Sequence, residues 1–219
     1  LNSRRLPANL DLSSNGFGLE GNVAHLDYRF NPRRGWALQA RTSAGFQTVR
    51  RNPQIEQLVD PQETDFQFSS LYDTLTLRST RLRAEARAEY FLPFLKRSTV
   101  LLRARGGGIF SEQPVYTNEQ YRLGGNKLLR GFDEESLFAT RWVVTTLEVR
   151  LLTGRNSYLA AFTDYAYLEN ITTRNRIFLR PWGIGAGMNF ETQAGIFGIS
   201  AAVGRRNPGE DFDLRAAKF

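Results

Sequence analysis

From Arg81 to Tyr90 the chain reads RLRAEARAEY, with Arg81, Arg83, Glu85, Arg87 and Glu89 on one parity and Leu82, Ala84, Ala86, Ala88 and Tyr90 on the other. A helix would scatter these charges around its circumference, whereas a strand puts all of them on one face. Alanine favours helix by intrinsic propensity, so the alternation must outweigh propensity, and it does so by recurring. In TVLLRARGGGIF, Thr99, Arg103, Arg105 and Gly107 oppose Val100, Leu102, Ala104 and Phe110. In RWVVTTLEVRLL, Thr146, Glu148 and Arg150 oppose Val143, Thr145, Leu147, Val149 and Leu151. In WALQARTSAGFQ, Gln39, Arg41, Ser43 and Gln47 oppose Trp36, Leu38, Ala40, Ala44 and Phe46. Segments 16–28, 157–168, 182–191, 195–204 and 211–219 alternate in the same way, which predicts nine strands, with a weaker tenth over 66–77.

These strands are about 10 to 14 residues long, against about 5 or 6 in an ordinary soluble sheet. Lengths near 10 with one apolar face match tilted strands crossing an outer membrane. Aromatic residues gather near the strand ends: Trp36 and Phe46, Tyr90 and Phe91, Trp142, Tyr158 and Tyr167, Trp182 and Phe190. That distribution matches the interfacial girdles of such barrels. A soluble sandwich or lipocalin-like barrel shows the same alternation, but strand length, rim aromatics and several charges on one face of each strand favour the membrane. The predicted fold is all-β, an antiparallel transmembrane β-barrel, with 1–219 as one barrel domain.

Tight turns are expected at 31–35 (NPRRG), 93–98 and 153–156 (TGRN), and long connections at 51–80, 111–140 and 169–180. This alternation of short and long links is that of periplasmic turns and extracellular loops. Nine strands cannot close a single-chain barrel with both termini on one side, and open strand edges cannot face lipid. The expectation is therefore a C-terminal portion, nine or ten strands of a larger, 16-stranded barrel, with preceding strands absent.

Composition narrows the chemistry. There is no Cys and one His, His25, which speaks against disulfides, thiol catalysis, zinc sites and His-dependent hydrolysis. No run of 18 apolar residues offers a transmembrane helix. The net charge is +7, from 29 Lys and Arg against 22 Asp and Glu. Because the basic residues interleave with Glu on the same faces, no linear basic stripe for nucleic acid forms, and the excess suits lipid phosphates at the rims.

Residues 118–136 read NEQYRLGGNKLLRGFDEES, where a Gly124–Gly125 pair precedes Leu129, Arg130, Gly131 and Phe132. With the following NSYLAAFTDYAYLEN and GIGAGMNFETQAGIFGIS, this resembles the signature of the BamA/TamA family of outer-membrane insertases and translocases, the bacterial surface antigen family. The resemblance covers nearly the whole chain and is to the C-terminal half of such a barrel, in a form common among Bacteroidetes-like sequences. It implies that residues 111–140 form an extracellular loop folded back inside, with Arg130, Gly131 and Phe132 at its tip and acidic partners on the wall. Glu148 and Asp164, on the next two strands, are the matching candidates; each lies on the charged or inward parity of its strand. The chain departs from the family in showing no POTRA domains and in ending at LRAAKF, without a Gly in the last ten residues.

The resemblance implies a Gram-negative outer-membrane barrel that helps to assemble or secrete client proteins. Outer-membrane lipids, clients and assembly-machinery subunits would be its partners, and it would need no cofactor, metal or nucleic acid. Gly183, Gly185, Gly187, Gly195 and Gly198 would either soften the wall or make room for the loop. Two alternatives remain. Arg83, Arg87, Arg103 and Arg105 could line a passive, anion-favouring porin. An outer-membrane hydrolase would have to rely on His25, near a strand end; the expectation is that the protein is not an enzyme.

Overall fold

The computed structural model of the chain describes residues 10–58, 66–73, 78–171, 176–212 and 217–218. Eleven strands follow in chain order: β1 (Leu12–Leu26), β2 (Gly35–Val49), β3 (Arg78–Leu95), β4 (Ser98–Phe110), β5 (Tyr121–Leu123), β6 (Leu137–Ala139), β7 (Arg141–Leu152), β8 (Tyr158–Ile171), β9 (Arg176–Leu179), β10 (Trp182–Thr192) and β11 (Gly195–Arg205). Nine of them make one antiparallel sheet in the order β1-β2-β3-β4-β7-β8-β10-β11, with β9 paired to the end of β8. The short β5 and β6 pair with each other inside the 111–140 connection. Helix is confined to single turns, Pro53–Glu56, Phe68–Tyr72 and Thr117–Glu119, so among the described residues no helix is long and apolar enough to cross a membrane.

The alternation sorts the two faces cleanly. In β7, the odd residues Val143, Thr145, Leu147, Val149 and Leu151 are exposed, while Val144, Thr146, Glu148 and Arg150 are buried. Register carries this across the sheet: Leu147 lies opposite Leu102 and Thr163, and Glu148 opposite Leu101 and Phe162. The exposed face continues through Phe17, Leu19, Val23, Leu38, Phe46, Leu82, Tyr90, Leu159, Tyr165, Met188 and Ile199. A soluble protein hides such a face. Here it is turned outward along strands of 11 to 18 residues, the arrangement that hydrocarbon tolerates and water does not. We call the opposite face, which carries Glu148 and Asp164, the inner face.

Several sequence-based expectations need correcting. The weak strand over 66–77 is a 3₁₀ turn over Phe68–Tyr72, with Phe68 and Tyr72 buried. Phe68, Leu71 and Tyr72 recur at helical spacing (i, i+3, i+4), which overrides the apparent alternation; residues 74–77 lie outside the described residues. Of the segment 211–219, the described part shows one antiparallel bridge, Lys218 opposite Ala202, and the rest mostly lies outside the described residues. Among the described residues a further strand of the sheet, β9, lies inside the connection expected at 169–180. Trp142, Phe91 and Tyr158 are not rim aromatics: their parity turns them to the inner face, where Phe91 is buried and Trp142 packs edge-on against Tyr121.

The outward rim is nonetheless aromatic. At the end of the sheet with the long connections, Arg78 lies over Phe46, Arg141 over Phe110 and Arg205 over Trp182, with guanidinium carbons 4.5, 5.2 and 4.7 Å from the ring centroids. Arginines in such positions place charge at the head-group level while their stems stay on apolar surface.

Leu147 sits midway along β7 on the outward face, so Leu147→Arg should destabilise the protein in phospholipid vesicles by about 2 to 4 kcal/mol, and Leu147→Glu by less. Denaturant titration of the reconstituted protein measures both; a neutral result for the Arg variant would show that this face does not meet lipid.

Candidate functional site

The segment between β4 and β7 lies on the inner face and presents Arg130 to the walls of β7 and β8. Asp164 Oδ2 accepts from the Arg130 backbone N–H at 3.1 Å and from Nε at 2.7 Å, and its Oδ1 accepts from Nη2 at 2.8 Å. Nη1 donates to Glu148 Oε2 at 2.6 Å. Each carboxylate has one further partner among the described residues. Thr146 Oγ1 donates to Asp164 Oδ1 at 2.7 Å, and Arg150 Nε donates to Glu148 Oε1 at 2.8 Å. Asp164 is 1% exposed and Glu148 4%. Two cations and two anions thus form a neutral buried quartet, the condition under which burial of charge is tolerable.

Arginine is suited to this place for its planar fork, which grips Asp164 bidentately and still reaches a second carboxylate. Its guanidinium carbon stands 3.4 Å from the centroid of the Phe162 ring, which lies on β8 two residues before Asp164. Burial alone would lower the pKa of Arg130, but hydrogen bonding and charge from Asp164, and then from Glu148, hold it above the ordinary arginine value.

The neighbouring residues shape the tip. Gly131 adopts φ +91°, a conformation that side chains disfavour, and a Cβ there would lie 2.7 Å from the Val203 carbonyl group on β11. Gly183 and Gly204 face each other across β10 and β11 and form the floor beneath the tip. A Cβ on Gly183 would come within 2.0 Å of the Arg130 carbonyl oxygen, and one on Gly204 within 2.7 Å of both the Gly131 oxygen and the Phe132 ring. Gly124 and Gly125, at φ +121° and +85°, turn the chain after β5, and the Gly125 N–H donates to the Phe132 carbonyl at 3.1 Å. Leu129 and Phe132 are buried with Leu123, Leu137 and Ala139 of the same segment against Val144, Ala166 and Leu168 of the wall.

This inner-face loop stands in a sheet whose family is recognisable. A family model described as the Omp85 superfamily domain matches residues 10–212. The chain belongs to the Omp85 superfamily. That membership fits an outer-membrane barrel of the BamA/TamA type and places the protein in the Gram-negative outer membrane. No curated protein matches the chain.

The Omp85 chain holds its loop at a second point that sequence reasoning missed. Arg81, buried on the inner face of β3, donates from Nε to Gln47 Oε1 at 2.6 Å and to Glu119 Oε1 at 3.1 Å, and from Nη2 to the Pro114 carbonyl at 2.8 Å. It also contacts Ser111 and the Gln113 carbonyl. Here the wall supplies the cation and the loop the anion, the reverse of the Arg130 site. Arg83 and Arg105 reach the loop too, donating to the carbonyls of Glu119 at 3.0 Å and Lys127 at 2.7 Å. Arg87 and Arg103 both pair with Glu89, at 2.7 and 2.5 Å.

The apolar patch under the loop was also missed, although a signal for it exists. Val143–Val144 and Ala166–Tyr167–Leu168 interrupt the alternation with apolar residues on both parities, which marks places where the inner wall is covered by protein rather than water. His25 lies on the outward parity opposite Trp36, and among the described residues its ring has no hydrogen-bond partner. Among the described residues no cluster of His, Cys, Asp and Glu could hold a metal ion.

Gly183→Ala should push the tip off its floor and cost about 1 to 3 kcal/mol, the usual penalty of overpacking. The loop should then be cut faster by protease while the sheet stays folded. Unchanged loop protection in that variant would mean that the tip does not rest on β10.

Proposed function

We propose that this Omp85 barrel is an insertase or translocase for other outer-membrane or secreted proteins, and that the Arg130–Gly131–Phe132 tip is the anchor that holds its inner loop against the wall. The observation that carries this reading is the complete use of the Asp164 and Glu148 carboxylates by Arg130, Arg150 and Thr146. A turn with a merely exposed arginine would not need two buried acids. The reading places the short turns on the periplasmic side and the long connections outside, within a single barrel domain over 1–219 that forms part of a larger 16-stranded barrel. Client proteins and assembly-machinery subunits would be its partners, and its work would be non-enzymatic and need no cofactor.

The passive, anion-favouring channel fits less well. Each arginine that would give it selectivity, Arg83, Arg87, Arg103 and Arg105, is engaged with a loop carbonyl or with Glu89. The loop itself lies where the ions would pass.

The test is folding of an added, denatured outer-membrane protein by the full-length protein reconstituted in vesicles, followed by its heat-modified gel migration. The parent protein should speed that folding. Arg130→Ala should weaken it and should lower the stability of the barrel by about 3 to 5 kcal/mol, because two buried carboxylates lose their partner. Arg130→Lys should rescue little, since a point charge cannot grip both acids. Anion-selective conductance, with no effect on client folding in parent or variant, would establish the channel instead.

A further inference from the structure

The connection between β1 and β2, residues 27–34, belongs to the end of the sheet opposite the long loop, yet it does not simply turn in solvent. Asp27 caps it internally, its Oδ1 accepting from the N–H groups of Arg33 at 2.9 Å and Arg34 at 3.2 Å. The turn then meets inner-face residues of strands that are not its sequence neighbours. Thr99, fully buried on β4, donates from Oγ1 to the Arg33 carbonyl at 2.7 Å. Asn31, 4% exposed, accepts on Oδ1 from Arg150 Nη1 at 3.4 Å and donates from Nδ2 to the Arg155 carbonyl at 3.3 Å. Tyr28 lies under the Arg155 guanidinium, 4.7 Å from ring centroid to guanidinium carbon. Thr99 and Arg150 stand opposite each other across β4 and β7, so the turn docks on one paired position of the wall.

Arg150 is also a member of the buried quartet. Its guanidinium bridges Glu148 and Asn31 while lying 4.5 Å from the Tyr158 ring centroid and 5.6 Å from that of Phe91. An unbroken chain of polar contacts therefore runs Asp164, Arg130, Glu148, Arg150, Asn31. It joins the tip of the long loop to the short turn at the other end. Buried asparagine in a turn needs a reason, because its amide must find partners that solvent would otherwise supply; these partners are Arg150 and the β7–β8 connection.

We infer that Asn31 is a positioning residue for the Arg130 anchor, acting through Arg150, so that the β1–β2 turn and the inner loop are energetically coupled across the inner face. The inference rests on the anchoring role given to Arg130 above. Loss of the Asn31 oxygen leaves one arm of Arg150 without its acceptor and frees that guanidinium to shift away from Glu148. Glu148 then holds Arg130 in a less fixed place, and the tip loosens. Coupling is reciprocal: whatever displaces the turn loosens the loop, and release of the loop loosens the turn.

Residues 1–219 contain no cysteine, so a reporter thiol can be placed among them, with any cysteine elsewhere in the full-length protein replaced by serine. Leu128→Cys, half-buried beside the tip, reports opening of the loop through its rate of reaction with a charged maleimide, in the full-length protein in native membranes. Ser43→Cys on β2 reports general loosening. Asn31→Ala should raise labelling at the loop reporter about fivefold, the lower end of ordinary coupling, and leave the β2 reporter unchanged. Asn31→Asp, which keeps an oxygen acceptor for Arg150 but gives up the bond to the Arg155 carbonyl, should label more slowly than Asn31→Ala. Labelling as fast as in Asn31→Ala would show that the acceptor is not what couples turn and loop. Asn31→Ser, with a shorter acceptor, should fall between and serves in place of the alanine variant if that one does not assemble. A parent rate in Asn31→Ala, with faster labelling in Arg130→Ala, overturns the coupling and leaves the anchor standing. Equal acceleration at both reporters also overturns it, as simple destabilisation. Parent rates in both Asn31→Ala and Arg130→Ala would remove the anchor itself.

Discussion

Neither the inner wall nor the loop is electrostatically complete without the other. On β7 and β8 the wall buries Glu148 and Asp164 with one cation of its own, Arg150, which leaves an excess negative charge that Arg130 cancels. On β3 it buries Arg81, whose carboxylate partner, Glu119, comes from the loop. A buried ion without its counterion is among the costliest features a fold can carry, so the two half-sites define where residues 111–140 can lie. Their opposite polarity adds specificity. A loop shifted or reversed on the wall would set Arg130 toward Arg81 and Glu119 toward the acids. Such buried pairs contribute more to selecting one arrangement than to net stability, and the apolar patch of Leu123, Leu129, Phe132 and Leu137 supplies the attraction that the ion pairs then direct.

The outward face sets the complementary constraint. Strands that give one side to hydrocarbon must send the charges between their rims to the other side, and period-two alternation does this residue by residue. The inner face is consequently crowded with arginine, and the structure neutralises it locally. Glu89 pairs with both Arg87 and Arg103, and loop carbonyls accept hydrogen bonds from Arg83 and Arg105. Where no charge is needed the wall turns small. The Gly183–Gly204 pair removes two side chains where the backbone of the tip comes close, so of the glycines singled out by sequence Gly183 makes room for the loop, whereas Gly185, Gly187 and Gly198 have their own sheet neighbours in that space.

What could be read from sequence was what depends on neighbours along the chain. The faces of β2, β3, β4, β7 and β8 follow from alternation alone, because burial on one side imposes it residue by residue. The tip and its acids stood out through a motif and through the parity of Glu148. What escaped notice depends on partners distant in sequence: Arg81 with Glu119, Asn31 with Arg150, and the apolar inner positions Val144, Ala166 and Leu168. Trp142 was misplaced for the same reason. An aromatic at a strand end suits a lipid interface or a protein-covered wall equally well, and only the contact with Tyr121 decides between them. Over 66–77, alternation of bulky residues suggested a strand where spacing at i, i+3 and i+4 made a 3₁₀ turn.

The placement of the cation on the loop, not on the wall, has a physical consequence. An arginine fixed to β10 could neutralise Glu148 and Asp164 permanently, and the loop would then be held by its apolar contacts alone. With the cation at the loop tip, neutralisation depends on the loop being home. Departure leaves two acids and Arg150 behind, but on a polar face that water can enter, so the penalty is smaller than in a dry core. The Gly183–Gly204 floor contributes no side chain that would obstruct withdrawal of the tip. In the insertase reading proposed above, this geometry would make the anchor selective when formed and releasable as a unit, as a wall that admits other polypeptides needs.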